Sequence, residues 1–432
     1  MRTFFVTVLS LFVFNSHAQF LMDMIDTTTD IGKSVLSVSQ RFDHIRIGGY
    51  MQPQFQLAQE KGAKSYIGGD FPQNVNNRFS LRRGRIRFDY VRINKSSKAS
   101  VQFVFQFDGT ERGVFIRDFW GRLFENKYQL FSFVAGMFAR PFSYELNLSS
   151  SDRESPERGR MSQILMKTER DLGAMISFEP RKSGHPLRFL KIDAGLFNGQ
   201  GLTAPGDFDS HKDFIAKAGL KPYHISKNLL LSFEGSYLNG GLLQTTRYIY
   251  SNGSNSNGSK RFNVDSSISN IGKIAPRKYY GADAQLKIKC RAGFTELRAE
   301  YIAGKQTGFA NTTETPAALP DANGSFYIRK FNGAYFYILQ NIISPVNQLI
   351  LKYDWYDPNI AVSAKEIGSP ATNLTSADIK FSTVGLGYIC YINDNVKLLL
   401  WYDKVWNEKT QLTGFTTDVK DDVFTCRMQF RF

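Results

Sequence analysis

Hydropathy alternates with a period of two over much of the chain. Val101, Phe103, Phe105 and Phe107 alternate with Gln102, Gln106 and Asp108. Tyr280, Ala282, Ala284, Leu286 and Ile288 alternate with Gly281, Asp283, Gln285, Lys287 and Lys289. Phe424, Cys426, Met428, Phe430 and Phe432 alternate with Thr425, Arg427, Gln429 and Arg431. Successive side chains of a strand point to opposite faces, so each run makes a strand with one apolar, aromatic face and one polar, often charged face. Other classes fall away. No apolar run reaches the roughly 18 residues that a membrane-spanning helix needs. Aromatic residues make up 14% of the chain, too many for a disordered one. Three cysteines are too few for a disulfide scaffold.

The connections carry a second rhythm. Long polar segments (59–77, 141–168, 199–211, 239–277, 305–326, 358–380, 407–420) alternate with short ones (94–98, 125–129, 179–187, 222–228, 291–293, 341–347, 393–395). Only the connection near 109–113 is short where a long one is due. The segments between them number about 16, an even count typical of porins. A transmembrane barrel turns tightly at its periplasmic rim and carries long loops outside, and an even count returns both chain ends to the tight rim. A closed sheet pairs every backbone group, which a bilayer demands. Alternation between lipid and lumen also accounts for a mean hydropathy of only −0.29. The expected fold is all-β: a transmembrane antiparallel up-and-down β-barrel. A secreted sandwich or propeller also alternates. It requires neither this loop rhythm nor spanning strands of about 10 residues throughout.

The amino terminus supplies an address. Arg2 precedes the apolar stretch Phe4–Phe14, and small residues follow at Ser16 and Ala18. This pattern predicts a secretory signal cleaved after Ala18. The expected organisation is a signal peptide at 1–18, a periplasmic segment at 19–44 and a barrel at 45–432, placed in the outer membrane. The formal charge of +15 becomes +14 when Arg2 leaves. Such a basic chain suggests nucleic acid, but export and the scatter of cations over strands and loops argue against that partner. Cys290, Cys390 and Cys426 share parity with apolar neighbours and are expected to face lipid. They have no metal-ligand spacing, and no metal or cofactor is expected. No nucleophile–base pattern stands out, so the chain does not read as an enzyme. Ser251–Ser259 (SNGSNSNGS) reads as a mobile external loop tip.

Several segments carry a family likeness. Phe79–Phe88 (FSLRRGRIRF), Ala135–Glu145 (AGMFARPFSYE), Glu157-Arg158, Glu169–Gly173 (ERDLG), Leu297–Gly304 (LRAEYIAG), Lys352–Asp357 (KYDWYD) and the terminal Phe430-Arg431-Phe432 occur in order. Across roughly residues 45–432 the chain resembles the phosphate-selective porin O and P family. The resemblance implies a sixteen-stranded homotrimeric outer-membrane porin, its third loop folded into the lumen, passing small anions such as phosphate or polyphosphate.

Arg83, Arg85 and Arg87 form the sharpest constellation. Gly84, Ile86, Phe88 and Tyr90 take the other parity and would face lipid. With i,i+2 neighbours about 6.6 Å apart, the three guanidiniums make a lumenal ladder roughly 13 Å long. Closely spaced weak sites let an anion enter and leave, and the guanidinium fork matches phosphate oxygens. Alternatively they pair with acids of lumenal parity: Asp89, Asp108, Asp118, Asp283, Glu296, Glu300 and Asp354. Segment 141–168 holds Arg153, Arg158 and Arg160 among Asp152, Glu154 and Glu157, with Arg140 at its entrance. The residues alone suggest a mixed-charge surface loop; the resemblance implies a constriction loop. Lys217 and Lys352 share lumenal parity and rank lower. The expected function is passive diffusion of small hydrophilic, anionic solutes along the outer-membrane barrel. A general porin, or a plugged surface barrel used for adhesion, are the alternatives.

Overall fold

A computed structural model describes residues 44–93, 98–204, 206–321, 324–370 and 372–432. The expected signal peptide, almost all of segment 19–44 and most of turn 94–98 lie outside the described residues. The compact unit is Ile47–Phe432; of the preceding unit, Met1–Arg46, only residues 44–46 are described.

The strands are β1 (Ile45–Ala58), β2 (Asn77–Arg92), β3 (Ala99–Thr110), β4 (Gly113–Glu125), β5 (Phe131–Ala139), β6 (Arg170–Phe178), β7 (Leu190–Phe197), β8 (Asp213–Ser226) and β9 (Leu229–Leu243). They continue with β10 (Ile249–Ser254), β11 (Lys260–Asp265), β12 (Ile274–Cys290), β13 (Gly293–Gly308), β14 (Phe326–Asn341), β15 (Asn347–Asp357), β16 (Phe381–Tyr391), β17 (Val396–Asn407) and β18 (Val423–Arg431). All eighteen belong to one sheet. Sixteen close a ring, because β9 pairs with β12 and β1 pairs antiparallel with β18. Closure leaves no free edge, the condition for a sheet in lipid. The last residue takes part: Gly49 N donates to Phe432 O at 3.1 Å, and Phe432 N donates to Gly49 O at 3.0 Å. Both ends of the ring thus lie at the short-turn rim.

The two strands outside the ring correct one expectation. The Ser251–Ser259 region is not simply a loop tip. Ile249–Ser254 pairs antiparallel with Lys260–Asp265, and β10 also runs parallel to the start of β14 through Ile249↔Phe326. Pairing is favoured by the residues flanking the low-complexity run: Tyr250 stacks on Tyr327 at 4.3 Å, and Phe262 closes edge-on over the same ring. The expected turn 222–228 is also shorter. β8 continues to Ser226 through register shifts at Leu220/Tyr223 and His224/Ser226, where bulges absorb the extra residues. The tight turn between β3 and β4 stands where expected, at 111–112.

The outer face carries exposed Phe103, Leu172, Leu196, Phe233, Leu386 and Tyr402. The inner face carries buried Gln52, Gln54, Gln56, Asp283 and Arg427. The three cysteines are free and half-buried. The lumen also contains a dry core. Inward residues of β5 to β15, among them Phe138, Phe197, Ile215, Ile302 and Phe331, pack with Phe142, Leu146, Met161 and Leu165 of the segment between β5 and β6. Those four residues bring that segment inside the barrel.

Candidate lumenal constriction and arginine wall

The segment between β5 and β6 carries two short helices, α1 (Tyr144–Asn147) and α2 (Arg160–Leu165). Its path is fixed at both faces. Apolar residues dock on the dry core, and Gly333 of β14 admits Met161 so closely that an added Cβ would stand 2.5 Å from its sulfur. The polar face meets the opposite wall. Tyr50 Oη shares a hydrogen bond with Ser150 Oγ at 2.6 Å, Lys397 Nζ donates to Ser151 O at 2.7 Å, and Arg298 Nη1 donates to Glu154 at 3.0 Å. Glu300 accepts from the backbone N–H groups of Tyr144 and Glu145. Glu145 in turn accepts from Gly159 N, tying the start of the segment to its return.

Glu157 is the hub. Arg82 Nε donates to Oε1 at 2.8 Å, Arg83 Nη2 to Oε2 at 2.7 Å, and Arg427 Nη2 to Oε1 at 2.9 Å. Burial opposes its charge, yet Arg82, Arg83 and Arg427 hold the carboxyl well below the usual carboxylate range. Glu169 follows the same pattern: burial opposes the charge, and Arg158, Arg117, Arg170 and Arg85 hold it low.

Two adjacent consecutive side chains, Arg82 and Arg83, both reach inward, so strict alternation fails between them. The sequence carries the signal. Apolar residues sit at odd positions at Phe79 and Leu81, then at even positions at Ile86, Phe88 and Tyr90. Phe79 is 85% exposed on the outer face. A second break lies on β4, where Gln106↔Asp118 is followed by Phe107↔Ile116, leaving Arg117 as the extra residue. Arg117 donates to Glu169, and the neighbouring Asp118 accepts from Arg170 at 3.1 Å. A bulge re-aims Arg117 in this way, and the guanidiniums of both Arg82 and Arg117 enter the lumen. Reading by strict parity misses Arg82 and Arg117.

A cavity of about 230 Å³ lies between this wall and the inward segment. Six cations line it, Arg82, Arg83, Arg85, Arg117, Arg158 and Lys167, against the carboxylates of Asp108, Glu157 and Glu169. Six against three leaves a formal excess of three positive charges. In a low-dielectric enclosure such an excess concentrates anions.

The expected site residues divide accordingly. Arg83, Arg85 and Arg158 meet at the cavity. Arg83 and Arg85 are 7% and 5% exposed, and each has a carboxylate: Glu157 for Arg83, Asp108 at 3.0 Å for Arg85. Arg87, one rung nearer the short-turn rim, pairs with Asp89 at 2.6 Å. Arg158 donates to the carbonyls of Glu145 and Leu146 and lies 3.4 Å from Glu169. Arg160 lies in a wider vestibule beyond the cavity. The others are drawn elsewhere. Arg140 donates to Gly199 O and Thr168 O, and Arg153 to Ser155 O and Pro156 O. Lys352 pairs with Asp354 at 2.7 Å and Lys217 with Glu234 at 2.9 Å. Among the described residues no cluster could hold a metal ion.

No protein-family model matches the chain, and no curated protein matches it by sequence. Solved structures do match. One is OprB of Pseudomonas putida at high pH (TM-score 0.53, 9% identity, 94% of this chain and 98% of that one). Another is the outer membrane channel DcaP of Acinetobacter baumannii (TM-score 0.52, 11% identity, 90% and 97%). A third is OmpT, an outer membrane protein of Vibrio cholerae in its trimer form (TM-score 0.50, 10% identity, 90% and 99%). At such identities the likeness is one of fold. The chain therefore has the closed, sixteen-stranded, antiparallel barrel fold of outer-membrane porins.

Proposed function

We propose that this protein is exported, loses residues 1–18, and works in the outer membrane as a passive diffusion channel for small hydrophilic solutes, with a preference for anions. The observation that carries the reading is the excess of three cations around the cavity beside the constricting segment. Solutes follow their gradient; no cofactor takes part. Arg85 and Arg117 present planar guanidiniums to oxyanions, and phosphate or polyphosphate is the leading solute, in keeping with the resemblance to phosphate-selective porins. Because each rung already faces a carboxylate, an anion exchanges partners instead of meeting bare charge. Such balance keeps binding weak enough for release. A homotrimer is the proposed assembly, supported by the trimer form of the Vibrio cholerae relative in fold. DcaP, described as a channel, supports conduction.

The test is the reversal potential of single channels in a KCl gradient across a planar bilayer. A chloride-directed potential is expected. A potassium-directed one overturns the anion preference, a potential near zero favours a general porin, and absence of conductance favours a plugged barrel.

A further inference from the structure

On the long-loop side of the arginine cavity lies a larger vestibule of about 690 Å³. Arg82 and Gln163 line both spaces, so the two adjoin. The vestibule differs in chemistry. Its one cation from the inward segment, Arg160, lies against two rings, its Cζ 3.5 Å from the Phe381 centroid and 4.7 Å from that of Tyr66. The only hydrogen bond of its guanidinium among the described residues is a long one, 3.5 Å, to Asp421. Most of its donor fork is uncommitted, unlike the guanidiniums of Arg83 and Arg427. Part of the wall beside it is apolar (Ile164, Ile379, Phe415 and Val419), while the carboxylates of Asp70, Glu314 and Asp421 balance the cations Lys64, Arg82 and Arg160. Asn311, Thr312 and Ser376 also line it.

A cation held between aromatic faces, next to an apolar wall, has two uses for a ligand. The fork takes a carboxylate in bidentate fashion. The wall takes a body that an inorganic oxyanion does not possess. The volume falls within the usual range for small-molecule sites, about 300–1,000 Å³. We propose that the vestibule is a docking site for small organic anions bearing an apolar body, a ring-bearing monocarboxylate being the simplest, and that it feeds them to the arginine cavity. The feeding step rests on the channel reading above; the docking site does not.

Calorimetry on the folded barrel in detergent tests the site, with benzoate, acetate and inorganic phosphate as probes. Benzoate should bind about tenfold more tightly than acetate, because only its ring meets the apolar wall. Phe415→Ala should weaken benzoate about fivefold and leave acetate unchanged, while Arg160→Gln should weaken both. Heat-modifiable gel migration establishes that each variant is folded. Equal affinities for benzoate and acetate, or benzoate binding unmoved by both substitutions, overturn the proposal. In bilayers, benzoate added on the long-loop side should interrupt the KCl current at lower concentration than acetate. A barrel that binds benzoate as expected but does not conduct supports the docking site and overturns the channel reading. An anion-selective channel with no preference for benzoate overturns the site alone.

Discussion

The two sides of the inward segment use similar residues to opposite ends. Toward β13–β18 and β1, cations are consumed in holding backbone and carboxylates: Lys397 on Ser151 O, Arg298 on Glu154, Arg427 on Pro156 O and Glu157. Toward β2–β4, six cations face three carboxylates around open space. A basic wall does not by itself make an anion path. What decides is whether the segment's carbonyls and acids arrive to consume the charge. The segment's apolar residues determine that, because docking on the dry core directs its polar edge toward β18 and β1 and leaves open space against β2–β4, bridged by Glu157 to Arg82 and Arg83 and by Ser150 to Arg85.

Glu157 touches both sides, so removing its charge should break the division most severely. Glu157→Gln leaves Arg82, Arg83 and Arg427 facing a neutral amide. Uncompensated buried charge costs about 3–5 kcal/mol when one partner of a buried pair is lost. The expected outcome is a lower temperature for the heat-modifiable gel shift, a noisier and larger single-channel current, and stronger anion selectivity. An unchanged current with an unchanged unfolding temperature would mean that the segment is held by its apolar face alone.

Most of this barrel is written in its alternation. Strand number, the closing pair at Phe432 and even the anomalous tight turn at 111–112 follow from parity and loop length, because a bilayer forces one face to be apolar along every strand. The site was legible only in part, for a physical reason. Parity arguments group Arg83, Arg85 and Arg87 on one face, and Arg83 and Arg85 do meet the inward segment, but such arguments assume an unbroken ladder. The break in alternation at Arg82/Arg83 and the bulge at Arg117 add two cations that strict alternation assigns to lipid. The parity switch from Leu81 to Ile86 was the available clue. Which cation ends beside which carboxylate depends on the fold of segment 140–169. Its contacts join residues more than 250 positions apart, as in Arg427 with Glu157, and no local pattern encodes them. Arg153 illustrates this: charged and in the right segment, it nonetheless turns back onto Ser155 O and Pro156 O.

A pair of single substitutions sharpens the comparison. Arg427→Gln removes a cation from the anchoring side, where Glu157 keeps Arg82 and Arg83. It should cost about 1–3 kcal/mol of stability and leave the reversal potential nearly unchanged. Arg117→Gln removes a cation from the cavity, where Glu169 keeps Arg158 and Arg170. It should barely affect stability and reduce the anion-to-cation permeability ratio roughly twofold. If both variants reduce selectivity equally, the lumen carries one continuous field and the division between anchoring and conducting sides fails.

The smallest expected effect is that of pH. Glu157 and Glu169 both have carboxyl groups held well below the usual range despite burial, through their arginine partners. For an acid depressed in the folded state, the stabilisation is fully present above the unfolded pKa, about 4.3, and is lost only as pH falls through the folded value. Between pH 8 and 5 neither group changes charge, so the arginine contacts of Glu157 and Glu169 persist. Asp421 does titrate in this window, since burial pushes it up to about 6. It lies in the vestibule, and at about 1 M KCl its field is screened within about 3 Å. Single-channel conductance at that salt should therefore be flat from pH 8 to 5 and should change only in stronger acid. A step near pH 6 that Asp421→Asn abolishes would show that Asp421 reaches the constriction through Arg160, making vestibule and cavity one electrostatic unit.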